Sequence, residues 1–159
     1  MTATTPALAT LLERVRASAV DAGVFGGVKL KDGELVCEAA ASAEPAHYRL
    51  GLDGNALWVS LTMADRWLSE SIESDLMHTG DSMEELLEEE LVEQGYEKGP
   101  LPVEHFRSDD RLFTFRSKLP MTLEQAGSPA AADVALQCLL AYEACFRNLG
   151  DMSAGEGDE

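Results

Sequence analysis

Residues 129 to 149 constrain this chain more than any other stretch. Ser128 followed by Pro129 reads as a helix start, because the serine oxygen can take an orphan backbone N–H and proline is tolerated in the first turn. Val134, Ala135, Cys138, Leu139, Ala141, Tyr142, Cys145, Phe146 and Leu149 are apolar, and Leu136 and Leu140 widen the arc beyond one stripe. A helix this apolar must be buried on two sides. The second side is covered by a sheet, a neighbouring helix or another subunit.

The chain begins with a second helical pattern. Over residues 6 to 20, Leu8, Leu11, Leu12, Val15 and Ala19 form one stripe, while Glu13, Arg14 and Arg16 lie off it. Thr5 is a cap candidate, and Gly23 is a natural stop. From residue 24 to 61 short apolar runs alternate with turn signals at Lys31-Asp32-Gly33, Glu44-Pro45 and 51 to 55. The best strands are 34 to 41, 46 to 52 and 56 to 61. Residues 24 to 30 read as a further strand or a glycine-rich approach, weakened by Gly26-Gly27. Leu57, Val59 and Leu61 share one face, and Trp58 points to the other.

A helical region starts at Thr62, with Asp65 three residues on as a weak capping signal. Trp67, Leu68, Ser71, Ile72, Asp75 and Leu76 keep helical spacing up to Thr79-Gly80. Ser82 with Glu85 is a better capping box, and Met83, Leu86, Leu87 and Leu91 form the apolar stripe behind it. The region is one kinked helix or two. Residues 101 to 108 and 111 to 119 form a hairpin around Asp109-Asp110. A two-residue loop sets Phe106 opposite Phe113 with Phe115 on their side, and Arg107, His105 and Arg116 on the opposite face.

Strand blocks joined by short turns predict an α+β fold. It has an N-terminal helix, an antiparallel sheet of about five strands interrupted by an acidic helical region, and a C-terminal helix. Residues 1 to 150 form one domain in this reading, and 151 to 159 an acidic disordered tail. Apolar residues make up 45% and charged residues 26%, as in globular chains.

This order of elements resembles the type III secretion chaperone-like fold, shared by bacterial secretion chaperones and the YbjN-type family of putative sensory-transduction regulators. The segment Phe113-Thr-Phe-Arg-Ser-Lys-Leu-Pro120, followed by the apolar helix ending near Leu149, is the most similar part. The resemblance covers about residues 5 to 150 by element order. It implies a homodimer without ATPase activity that holds a partner segment in extended form on apolar patches, by strand addition or groove filling. Leu35 and Val36, on a supposed outer strand, are the candidate partner contacts by pattern. Trp67, Leu68 and Ile72 are the candidate dimer surface.

Charge sharpens the expectation. There are 12 basic and 29 acidic residues, a net of −17. Residues 62 to 110 contribute −12 and the last nine −4. Such a chain is expected to bind neither nucleic acid, which needs a positive face, nor anionic lipid. A basic partner segment would meet the 81 to 97 stretch through Glu84, Glu85, Glu88 and Glu89, and weaken with salt.

No residue cluster reads as a catalytic or metal centre. The glutamates lack a calcium-loop pattern or a Glu-x-x-His, so they read as a solvated face. Asp75 and His78 supply two ligands where structural zinc wants four. Glu104 and His105 are adjacent in a strand and point apart, His47 shows no partner, and a pairing of Cys37 with His47 or His105 has no signature behind it. Gly23 to Gly27 lacks the Gly-Lys-Ser/Thr of a phosphate loop. Cys37, Cys138 and Cys145 read as small core residues, and Met63, Met77 and Met83 as core. No signal peptide and no run of about 20 apolar residues is visible, so a cytoplasmic location is expected. No cofactor is expected. The leading expectation is a non-enzymatic polypeptide-binding homodimer. The alternatives are a YbjN-like regulatory protein, or a small enzyme or ligand binder whose site forms only in three dimensions.

Overall fold

Among the described residues four α-helices cover one face of a six-stranded antiparallel sheet. A computed structural model describes residues 6–31, 33–40, 44–53, 56–80, 82–97, 99, 101–107, 112–121, 124–147 and 149. The helices are α1 (Pro6–Ala22), α2 (Arg66–Thr79), α3 (Met83–Glu93) and α4 (Pro129–Arg147). The strands are β1 (Phe25–Lys31), β2 (Glu34–Ala39), β3 (Ala46–Asp53), β4 (Ala56–Met63), β5 (Glu104–Arg107) and β6 (Phe113–Lys118). Their spatial order is β1-β2-β3-β4-β6-β5. The fold is α+β, with one more strand than expected, because residues 25 to 31 pair despite their two glycines.

The helix boundaries follow from local chemistry. The expected stripe of α1 is buried residue for residue, and Gly23 ends the helix with φ 71°. Thr62 belongs to β4, and Asp65 starts α2 instead, its carboxylate accepting the Leu68 N–H at 2.9 Å. Gly80 closes α2 in the left-handed region, so the acidic stretch is two helices. Ser82 and Glu85 form the expected capping box on α3. Ser128 accepts the Ala131 N–H at 3.2 Å and caps α4.

The wide apolar arc of α4 is covered within the chain. The helix crosses β3 and β4, with α1 on one side and α3 on the other. Its width therefore needs no second subunit. Cross-strand rows such as Leu35–Leu50–Val59–Ser117 and Cys37–Tyr48–Leu61–Phe115 face it. Ser117 bonds the Tyr142 hydroxyl at 2.6 Å, so this buried polar pair is satisfied. Glu143, also buried on α4, is held by Arg147 at 2.7 and 3.0 Å.

Four sequence expectations are corrected. β2 is paired on both sides, so Leu35 and Val36 are not on an outer strand, and both are buried. Leu68 and Ile72 are also core, whereas Trp67 is 73% exposed. Met77 is exposed rather than core. The β5–β6 register pairs Arg107 with Phe113 and His105 with Phe115, one residue away from the expected one. That slip puts His105 on the helix side with Phe115, and Phe106 on the opposite face with Arg116. Thr5, the Asp109-Asp110 turn and the tail 151 to 159 lie outside the described residues.

Candidate functional site

The sheet face away from the helices carries a shallow cleft of about 350 Å³. Its walls come from β2, β3, β4, β5 and β6, and include Glu34, Arg49, Gly51, Trp58, Phe106 and Arg116. Arg49, Ser60 and Arg116 are in register across three strands, which spaces the two arginine Cα atoms about 10 Å apart.

Gly51 shapes one side. A Cβ there would stand 3.0 Å from Glu34 Cγ. With no side chain at 51, Glu34 leans across β3 and accepts Arg49 Nη1 at 2.9 Å. Arg49 Nε donates to Thr62 Oγ1 at 2.9 Å. The other side is built around Arg116. Its guanidinium lies 3.8 Å over the Trp58 ring and 5.0 Å from the Phe106 ring. Its Nε donates to Glu104 at 2.9 Å and its Nη1 to Asp53 at 2.7 Å. Stacking and two charge-assisted bonds fix this arginine as a platform, joining residues of four strands. His47 lies on the same face; burial lowers its pKa, and the Arg49 charge adds to that against Glu38.

No protein-family model, no curated protein and no solved structure matches this chain.

A second cluster lies on the helix side. His105 stacks on Phe115 with ring centroids 3.8 Å apart. Its Nδ1 is 2.8 Å from Glu73 Oε2, and its Nε2 is 3.4 Å from Ser69 Oγ. The neutral tautomer with the proton on Nδ1 donates to Glu73 and accepts from Ser69. The order serine, histidine, carboxylate is that of an activated nucleophile. Ser69, however, is only 2% exposed, so a substrate does not reach its oxygen. The chain of bonds instead ties α2 to β5.

Burial pushes the His105 pKa below the ordinary 6.5, and the Glu73 charge only partly opposes this. The folded protein thus favours neutral His105. Its contribution to stability is full above pH 6.5 and is lost as pH falls through the lowered folded value. Urea unfolding below pH 6.5 should show this loss, and His105→Gln should flatten that part of the profile. An unchanged slope in the variant would assign the loss elsewhere.

The remaining candidates fall apart in space. Glu84 accepts the Val103 N–H at 3.0 Å, and Glu85 is held in its capping box, so two of the four expected partner-binding glutamates have structural work. Glu88 and Glu89 line a groove on α3 with Glu90 and Glu93, and none of these four forms an ion pair among the described residues. Cys37 faces the helices and His47 the open face, on opposite sides of the sheet. His105 is four strands from Cys37, about 19 Å. Burial pushes each of the three thiols up to about 12, which makes them inert. Among the described residues no three potential ligands gather for a metal. No helix of the described residues is long and apolar enough to cross a membrane.

Sequence reasoning set Trp58 and Arg116 on faces of their own strands. It missed Gly51 and Arg49, whose roles depend on the register of β2 against β3.

Proposed function

We propose that this protein is a non-enzymatic polypeptide binder that lays an extended segment across the open face of its sheet. The observation that carries this reading is the cleft itself: rigid aromatic and guanidinium groups on strands, open to solvent. A small-molecule site would enclose its ligand, whereas an open sheet face suits a chain that continues beyond it. An adaptor of the secretion-chaperone type suits this reading, with one strand more than the order expected from sequence. In the same reading two copies meet through α2 around the exposed Trp67.

The test uses the two tryptophans. In a Trp67→Phe variant the only indole is Trp58. Peptides of mixed composition should shift its fluorescence saturably, and Arg116→Ala should weaken that binding by about tenfold or more. Peptide binding that leaves Trp58 emission unchanged would refute the open-face placement. No binding up to high micromolar peptide would refute the polypeptide reading.

A further inference from the structure

Among the described residues β1 is hydrogen-bonded on one side only, to β2, which leaves the backbone groups along its other side open to a further strand. Its two faces differ in chemistry. Lys29 and Lys31 lie on the open face, across from Val36 and Glu34. Glu34 does not serve Lys31, because it leans over Gly51 to Arg49. Neither lysine has an ion pair among the described residues, in a chain where acids outnumber bases 29 to 12. Val28 and Leu30 alternate with the lysines and lie on the helix side, Val28 half-buried and Leu30 41% exposed.

We infer that β1 accepts an extended polypeptide segment in which acidic and apolar side chains alternate. The acids face Lys29 and Lys31, and the apolar side chains cover Val28 and Leu30. Opposite charges and apolar pairs directly across two strands are the contacts that select a pairing. Edge lysines also guard a sheet against unwanted strands. That guard repels neutral or basic strands by leaving an ammonium unpaired, and an acidic strand removes it. The irregularity between Phe25 and Gly27 limits the acceptor to the segment after it. The inference rests on the polypeptide-binding reading and gives that binding a second place, the β1 edge, outside the cleft.

The experiment uses the full chain and a labelled peptide as long as β1, seven residues, alternating Glu and Val between Gly-Ser ends. The control peptide has Lys in place of Glu. The acidic peptide should bind about tenfold or more tighter than the basic one, and should slow hydrogen exchange at β1 amides. A Lys29→Glu, Lys31→Glu double variant should reverse the preference. N-methylation of the acidic peptide along one edge should abolish binding to the unaltered protein. Binding that leaves β1 exchange unchanged and instead shifts signals of Trp58 and Arg116 would overturn the edge assignment while sparing the polypeptide reading. Equal affinity for the two peptides, or an unchanged preference in the double variant, would overturn the charge pattern. Failure of the acidic peptide to bind, while mixed peptides still shift Trp58, would also overturn the inference alone.

Discussion

Phe146→Ala should destabilise the protein by about 3–5 kcal/mol, read as a lower urea midpoint with an unchanged slope. Phe146 is fully buried near the end of α4. Its ring lies 5.0 Å from that of Phe115 and 5.4 Å from that of Tyr142, both tilted. Phe115 in turn stacks on His105, which is tied to α2 through Glu73 and Ser69. One run of rings therefore links α4, β6, β5 and α2. Truncation removes the transfer energy of a benzyl group and leaves a cavity bounded by strands that cannot close in. The ring geometry adds a further ~0.5–1.5 kcal/mol for each lost aromatic pair. A loss below about 1 kcal/mol would mean that these rings do not pack as described.

The helices were legible because their signals are local. The α1 stripe repeats at the helical period, and the Ser82–Glu85 box lies within one turn, so neither depends on the rest of the chain. The sheet was legible only in part, since strand existence is local but register and neighbours are not. A shift of one residue between β5 and β6 exchanged the faces of His105 and Phe106. It thereby hid both the His105–Glu73 bond and the aromatic stack over Arg116. The status of β2 depended on whether residues 25 to 31 pair, and Gly26-Gly27 obscures that. The cleft draws on five strands up to 82 residues apart in number, Glu34 to Arg116, so no window of sequence contains it. Trp67 parts from Leu68 and Ile72 for a simpler reason. Leu68 and Ile72 are four apart and share a face, but Trp67 sits about 100° from Leu68 around the helix.

Leu35→Ala should cost about 2–5 kcal/mol, whereas Trp67→Ala should stay within about 0.5 kcal/mol of the unaltered protein. The two residues entered as candidate contact residues, and the fold separates them completely. Leu35 is fully buried opposite Leu50, in a row continued by Val59 and Ser117, so its truncation opens a cavity on the helix side of the sheet, where α1 packs on β2. Trp67 leaves almost three quarters of its surface in water, so its loss removes little packing. Thermal or urea unfolding distinguishes them at once. The distinction also decides how binding data are read. Peptide affinity lost in Leu35→Ala should return on cooling or stabilising the fold, because the residue touches no partner. If two copies meet at Trp67, Trp67→Ala should instead lower the mass found by light scattering. Near-equal destabilisation by the two substitutions would contradict the placement of β2 inside the sheet and of Trp67 outside the core.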